Sequence, residues 1–415
     1  MVDSKPKARF KQVSSSIQQI VNLGLAAASN RDWSQVINCL QRLPLSNKKQ
    51  LQLSPPDSEW QNVFKLSLAV LLQGDFQQQW EIAKLIPLLG KSIIEPLTIL
   101  LADEEVELEV RWFICQILGK LSDRAVIMAL VNLIQHTEEE ELIAIASQTL
   151  TQIGQDAIGA LLGLVSQSEH RLVAIQTLAY IRHPQIIEPL INYAKDPQLE
   201  IRVTAIEALG SFRDDRIPPI LLDALQDKVS LVRKEAAIAL GFRRDLCEEL
   251  NLVNELKPLL KDLNLDVCRQ AAISLGRMKN QAAATVLYET LQSSLTPVSL
   301  KLDIVKALGW MEIELAVEYL QRALTPESNP INLEIIALLG RISLSTLKEK
   351  ASQILIDFWN VERSQITDNC IKQNLAISLG YLGALSAKMP LTELAQDKNR
   401  TVQLHAIAAL KHLPN

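Results

Sequence analysis

Residues Asp227–Gly241, DKVSLVRKEAAIALG, carry the pattern that decides the fold of this chain. An acidic residue and a short polar segment come before Val232 and Arg233, small residues follow at helical spacing, and Leu240 with the glycine after it closes the stretch. Apolar residues four positions apart share one face of an α-helix. The stretch therefore predicts a turn followed by a helix with a narrow apolar face.

The same pattern recurs along most of the chain. Aligning the copies on the leucine that closes each helix identifies Leu118, Leu150, Leu178, Leu209, Leu240, Leu275, Leu308, Leu339, Leu379 and Leu410. These leucines lie 28 to 40 residues apart, which is the period of helical repeat proteins. The residues four and eight positions earlier are apolar in nearly every copy, so each copy predicts one buried helix face.

The repeats predict an all-α protein, a right-handed α-solenoid (superhelix) of about ten helix pairs. Amphipathic stretches before residue 92 lack the repeat pattern, and a stack of repeats needs its end face covered. We therefore expect a flexible tail at 1–11, a helical N-terminal cap at 12–91 and the repeat solenoid at 92–415, with an insertion near 343–369.

A glycine follows the closing leucine in seven of the ten copies. These glycines are Gly119, Gly210, Gly241, Gly276, Gly309, Gly340 and Gly380. A glycine at this place can end the helix in a left-handed conformation, or it can let a neighbouring helix approach closely. The sequence leaves both interpretations open.

Composition and charge narrow the classes of function. A net charge of −5 argues against a general nucleic-acid binder, which needs a basic surface. The five cysteines are scattered, with no CxxC and no Cys/His cluster at metal-ligand spacing, so we expect no metal and a reducing compartment. No apolar run approaches the roughly 18 residues of a membrane span, and no secretory signal is present. We expect a cytoplasmic protein.

The unit D-x₄-[VI]-R-x₂-A-x₂-A-L-G resembles HEAT repeats, specifically the short variety of phycobilisome (bilin) lyases. It stands as DPQLEIRVTAIEALG from Asp196 and DKVSLVRKEAAIALG from Asp227, with degraded copies from Asp262 and Asp397. GDFQQQWEIAKLIPLLG and RWFICQILG look like segments of cyanobacterial HEAT-repeat proteins. The resemblance covers roughly three quarters of the chain and implies an armadillo-like HEAT solenoid from a cyanobacterium.

Four charged residues of these copies could form either a catalytic array or a structural ladder. They are Asp196, Arg202, Asp227 and Arg233. In HEAT families these positions form an inter-repeat ladder of charge-assisted hydrogen bonds. The resemblance therefore implies that they tie neighbouring loops together.

A second face of each closing helix is the candidate binding surface. Positions −6, −2 and +2 relative to the closing leucine share this face, which in HEAT solenoids lines the concave surface. It concentrates aromatic and arginine residues, the usual anchors of protein interfaces. The candidates are Trp112, Tyr180, Lys234, Ile238, Phe242, Arg269, Ile273, Arg277, Lys306, Trp310, Arg341 and Tyr381. The alternative is that these side chains only pack against neighbouring helices.

No catalytic motif is present: the chain has no GxSxG, P-loop or GxGxxG and no His–Glu dyad. We therefore expect a non-enzymatic scaffold or adaptor without a cofactor, holding a protein partner that the basic residues of the stripe predict to be acidic. The resemblance implies a phycobiliprotein or a photosynthetic complex subunit as that partner. A bilin lyase or isomerase subunit, with a bilin as ligand, is the alternative. A nucleic-acid-binding HEAT protein is the third and least favoured possibility.

Overall fold

The computed structural model describes residues 5–44, 58–121, 123–326 and 329–413. It describes side chains from residue 17 onward within these ranges, apart from 58 and 59. Every regular element of the described ranges is an α-helix or a 3₁₀-helix. The prediction of an all-α fold made of stacked helix pairs is therefore confirmed.

The chain divides into two compact units, Met1–Pro189 and Leu190–Asn415. The first unit contains α1 (Lys5–Ser29), α2 (Trp33–Gln41), α3 (Ser58–Gln73), α4 (Phe76–Leu85), α5 (Ile94–Ala102), α6 (Leu108–Leu118), α7 (Arg124–His136), α8 (Glu140–Ile153), α9 (Ile158–Val165) and α10 (Arg171–Ile181). The division falls within α11 (Ile187–Tyr193). The predicted boundary between cap and solenoid, at 91/92, lies inside the first unit and stays a prediction.

The second unit continues with α12 (Leu199–Leu209), α13 (Ile217–Ala224), α14 (Ser230–Gly241), α15 (Leu252–Leu256), α16 (Leu265–Met278), α17 (Gln281–Gln292), α18 (Val298–Met311), α19 (Glu314–Ala323), α20 (Pro330–Gly340), α21 (Ser345–Glu362), α22 (Asn369–Leu382), α23 (Lys388–Leu394) and α24 (Arg400–His412). From α5 onward, odd-numbered helices are the first and even-numbered helices the second members of ten pairs. The ten second helices are those that the repeats predict.

Each unit has two layers of helices. In the first unit the second helices pack in the order α6, α8, α10, and the first helices in the order α5, α7, α9. In the second unit the second helices from α12 to α24 each pack on the next one along the chain. Each repeat therefore buries its apolar face against its neighbours, as solenoid repeats do.

The predicted anchor positions form the core. All the closing leucines are buried except Leu410, which is half-buried, and every residue four positions earlier is buried. Eight positions earlier only His170 and Ile331 are half-buried. Burial of each such leucine stabilises the fold by about 1.5–3 kcal/mol relative to an exposed one. The core of each unit is therefore stabilised by many such residues, with one closing leucine from each repeat.

Close helix packing explains the seven glycines after the closing leucines. None of them has a positive φ, so none is a left-handed helix cap. Each faces the residue just before the closing leucine of the next second helix, as Gly241 faces Ser274 and Gly340 faces Ser378. We call this row of contacts between a glycine of one second helix and the facing residue of the next the glycine seam. Across it, the Ser274 hydroxyl also donates a 2.7 Å hydrogen bond to the Ala237 carbonyl. A side chain at the glycine would therefore force the two helices apart.

The predicted flexible tail differs from the structure, and its first residues lie outside the described ranges. Helix α1 begins at Lys5, so residues 5–11 are helical where a flexible tail is predicted, and residues 1–4 lie outside the described residues. Pro6 is tolerated there because the first helical turn needs no backbone N–H from it. The region predicted as an insertion holds the long first helix α21.

Among the described residues no single helix is long and apolar enough to cross a membrane. Two consecutive segments, Phe76–Leu89 and Lys91–Ala102, are long and apolar enough only when taken together, and the chain bends by 119° between them. Its apolar side chains include the buried Ile82, Ile86 and Leu97, which belong to the core of the first unit.

We expect Gly241→Ala to destabilise the protein by about 2 kcal/mol, because the added methyl overpacks the seam against Ser274. Gly163→Ala is the matched control: Gly163 lies within α9, and an added Cβ there meets no atom within 4 Å. That substitution should stabilise the helix by up to about 1 kcal/mol. Urea denaturation of both variants measures the difference, and equal effects would contradict the packing role of Gly241.

Candidate protein-binding surface

Positions −6, −2 and +2 of the even-numbered helices from α6 to α24, called here the second-helix stripe, are open to solvent. No described residue of the stripe is buried. The +2 position is the most open, with Tyr180 at 74%, Phe242 at 56%, Trp310 at 54% and Tyr381 at 69% exposure. Among the described residues, only Phe76 and Trp80 add to these as largely exposed aromatic side chains. The exposed aromatic surface is therefore concentrated on the stripe.

The structure brings Phe242 and Arg277 together on neighbouring second helices. The guanidinium carbon of Arg277 lies 4.1 Å from the centroid of the Phe242 ring, a cation–π contact. Arg277 is half-buried, and desolvation lowers its pKa from the usual value. Its Nη1 is buried without a hydrogen-bond partner among the described residues. The contact favours the orientation of the Phe242 ring that stacks on Arg277, although the ring is 56% exposed.

Two of the predicted basic residues are compensated by acidic neighbours. Lys234 lies 3.4 Å from a carboxylate oxygen of Glu235. Arg269 lies 3.2 Å from carboxylate oxygens of both Asp266 and Asp303. The other three basic candidates, Arg277, Lys306 and Arg341, are in no ion pair among the described residues, and Arg341 is exposed. Part of the positive charge of the stripe in the second unit is therefore neutralised, and an acidic partner stays a prediction.

The remaining candidates occupy two separate places. Ile238 and Ile273 are half-buried at the −2 positions of α14 and α16, between the polar and aromatic side chains of the stripe. Trp112 and Tyr180 belong to the first compact unit, on α6 and α10, whereas the other ten candidates belong to the second unit.

An aromatic cluster of the first unit was missed by the sequence analysis. Phe76 and Trp80 on α4 stack with ring centroids 6.5 Å apart. Phe113 on α6 meets both rings, at 5.4 and 6.4 Å, and meets Trp112 at 5.2 Å. The segment before residue 92 has no repeat pattern, so nothing in the sequence aligned α4 with the stripe. The Phe–Gln–Gln–Gln–Trp spacing, which puts two aromatics on one helix face, was the available signal.

A groove of about 660 Å³ lies between α8 and α10 of the first unit. Its lining includes Tyr180 and three other stripe residues, Ala144, Gln148 and Gln176. The apolar Ile143 and Val173 also line it, although both lie outside the stripe. The groove thus extends the stripe into a concave, mostly apolar site.

The four predicted ladder residues lie where the turns meet the second helices: Asp196 and Asp227 are in the turns, and Arg202 and Arg233 are near the starts of α12 and α14. Arg202 donates to both carboxylate oxygens of Asp227, at 2.9 and 3.3 Å, and to the Asp196 carbonyl at 2.7 Å. Arg233 likewise donates to both oxygens of Asp262, at 2.7 and 2.8 Å, and to the Asp227 carbonyl. Each arginine therefore joins its own turn to the carboxylate of the next repeat.

The cysteines and potential metal ligands of the described residues are dispersed. No group of three or more His, Cys, Asp or Glu side chains among them could hold a metal ion. Cys39, Cys115, Cys247 and Cys268 are buried, and Cys370 is exposed. Burial raises the pKa of the Cys115 thiol to about 12, so this thiol stays protonated at neutral pH.

Comparison with known proteins supports the fold. A family model for HEAT repeats matches residues 165–241. A mutant of Kap121p is similar in structure over 96% of this chain and 53% of its own, with a TM-score of 0.54 and 15% identity. Kap121p bound to Pho4p matches 92% of this chain and 51% of its own, with a TM-score of 0.52 and 14% identity. No curated protein sequence matches the chain. The chain thus spans about half the length of these solenoids, and at such identity the likeness shows the fold alone.

We expect Arg233→Ala to destabilise the protein by about 2 kcal/mol, because it leaves the half-buried carboxylate of Asp262 without its counter-charge. Arg213→Ala is the control: its ion pair with Asp245 is exposed on both sides, so its removal should change stability by less than about 1 kcal/mol. Urea denaturation measures both. A small effect of the Arg233 variant would contradict the ladder role.

The same pair predicts a pH dependence. The hydrogen bond from Arg233 lowers the pKa of Asp262 below its usual value. A lowered native pKa contributes stability that is complete above the unfolded pKa, about 3.9, and is lost as pH falls through the native value. The stability difference between the wild type and Asp262→Asn should therefore shrink from pH 6 to pH 3. A difference that stays constant in urea denaturation over this range would argue against the pairing.

Proposed function

We propose that this protein is a non-enzymatic scaffold that holds a protein partner along the second-helix stripe. The observation that carries the proposal is the exposure of Tyr180, Phe242, Trp310 and Tyr381 at one repeated position. An exposed aromatic side chain contributes little to the core, whereas buried aromatic anchors dominate protein interfaces.

The arrangement of the second unit supports this role. Phe242 is held by Arg277, and Trp310 and Arg341 follow at the same position of the next two second helices. Aromatic and arginine side chains in alternation provide apolar contact area together with hydrogen-bond donors. Because neither Phe242 nor Trp310 is buried, binding can cover them without rearranging the repeats.

The likeness to Kap121p supports the same proposal. Kap121p is known in structures bound to Pho4p, to Nup53p and to the extreme C-terminus of the protein phosphatase Cdc14p. A solenoid presents a long row of equivalent positions, and this suits the binding of extended or helical protein segments.

The narrower prediction is that the partner is a phycobiliprotein or a subunit of a photosynthetic complex. It rests on the resemblance of the repeats to those of phycobilisome lyases. The lyase alternative rests on the same resemblance. Coexpression of this protein with a bilin and an apo-phycobiliprotein separates the two. We expect no coloured covalent adduct, and an adduct that depends on this protein would establish the lyase alternative.

The double substitution Phe242→Ala with Trp310→Ala tests the scaffold proposal. Each anchor should contribute about 2 kcal/mol to binding, which is about thirtyfold in affinity, so the loss of both anchors should weaken partner capture by about 700-fold if the two contributions add. The measurement is quantitative pull-down with the immobilised protein, with the thermal midpoint checked for both forms.

Leu263→Ala with Leu295→Ala is the matched control, since both leucines are more than 90% exposed in the same unit but lie off the stripe. Capture should be unchanged in this control. Equal losses in the two variants, or no loss in the first, would contradict the proposal.

A further inference from the structure

The groove between α8 and α10 has the shape and lining of a site for one helix. Ile143, Ala144, Ser147 and Thr151 line it from α8, and Val173, Thr177 and Tyr180 line it from α10. On each helix these residues recur every three or four positions, so the groove runs along both helices. Its volume is about 660 Å³, and it is open to solvent along its length.

The polar atoms of the groove are few. Thr151 and Thr177 satisfy their hydroxyls by donating to backbone carbonyls of their own helices, at 2.9 and 2.7 Å. The Ser147 hydroxyl is buried and makes no hydrogen bond among the described residues. The exposed Gln148 and Gln176 stand at the rim. An occupant therefore meets a mostly apolar surface with one unpaired hydroxyl, bordered by neutral amides.

Negative charge collects at one end of the groove. Among the described residues that line it, Glu140 is the only charged one, and it belongs to the run Glu138–Glu141 at the start of α8. All four carboxylates are exposed, and none is in an ion pair among the described residues. Acidic residues favour a helix N-terminus, but four adjacent carboxylates also repel one another. A positively charged occupant would relieve that repulsion.

We propose that this groove binds an amphipathic helix of a partner protein, with its apolar face on Ile143 and Val173 and its lysine or arginine residues against Glu138–Glu141. The inference rests on the proposed function and specifies the chemistry of the partner at this part of the stripe. Charge complementarity selects a basic segment, and the two parallel walls select a helix laid along them.

Two synthetic peptides of about 18 residues test the proposal, since this length spans about 27 Å as a helix. They share one apolar face of leucine and alanine, and their polar faces carry either lysine or glutamate. Fluorescence anisotropy with the full-length protein measures their binding. We expect the lysine peptide to bind at least about tenfold more tightly, with an affinity that falls as salt is raised.

Two variants locate the binding. A variant in which all four carboxylates are neutralised should bind the lysine peptide about tenfold more weakly. Its substitutions are Glu138→Gln, Glu139→Gln, Glu140→Gln and Glu141→Gln. Ala144→Gln should do the same without a change of charge, because the exposed Ala144 lines the groove and a longer side chain fills it. The thermal midpoint confirms that each variant is folded.

A matched control changes as many charges elsewhere. It neutralises four exposed carboxylates of the same unit that do not line the groove, by the substitutions Asp103→Asn, Glu104→Gln, Glu105→Gln and Glu107→Gln. This variant should weaken binding less than about threefold. Equal losses in the two acidic variants would show attraction by net charge only and would overturn the proposal, as would an unchanged affinity in Ala144→Gln.

Other occupants give different results. Equal binding of the glutamate peptide would overturn the basic partner, and self-association abolished by Ala144→Gln would identify a second copy of this chain instead. If the peptide tests fail while partner capture still depends on Phe242 and Trp310, this inference falls and the scaffold proposal stands. If capture does not depend on Phe242 and Trp310, the scaffold proposal falls by its own test.

Discussion

The close approach of successive second helices is the constraint on which the rest of this structure depends. Between α14 and α16, for example, a residue without a side chain on one helix, Gly241, lies against a small residue on the next, Ser274. Cross-seam hydrogen bonds such as that from Ser274 to the Ala237 carbonyl fix the register. Once this seam is closed, the anchor leucines meet in the core, and the stripe positions remain at the surface.

The arginine–aspartate ladder acts at a different place on the same repeats. It joins turns, whereas the glycine seam joins helices. The ladder runs from Arg202 through Arg233 to Asp262. It ends there because Cys268 occupies the position of the next arginine, and the Cys268 thiol donates to the Asp262 carbonyl instead. A 2.7 Å contact between Lys372 and Asp397 provides a similar link near the end of the chain.

Local spacing accounts for what could be predicted from the sequence. The ten second helices and their buried faces follow from residues four positions apart on one helix, so they needed no knowledge of neighbouring helices. The role of Gly241 could not be decided from sequence, because it depends on which residue of the next helix faces it. The ion pair of Arg269 with Asp303 joins two helices and was missed for the same reason.

The N-terminal segment shows the complementary limit. Phe76 and Trp80 could be placed on one face of a helix from their spacing, but the absence of a repeat pattern left that helix unaligned. Only the packing of α4 against α6 brings their rings to Phe113, next to the predicted Trp112. Contacts between elements of different sequence type are the part of a fold that periodicity does not encode.

The separation between seam and stripe has a consequence for recognition. Seam residues are constrained by the approach of the next helix, so their replacement costs stability wherever it occurs. Stripe residues face solvent, so they can differ from one repeat to the next at little cost to the fold. The two units illustrate this freedom: an apolar groove with unpaired carboxylates in the first, and aromatic rings with arginines in the second. One architecture can therefore present different binding chemistry along its length, and the residues that break the repeat pattern are the ones expected to determine which partner is held.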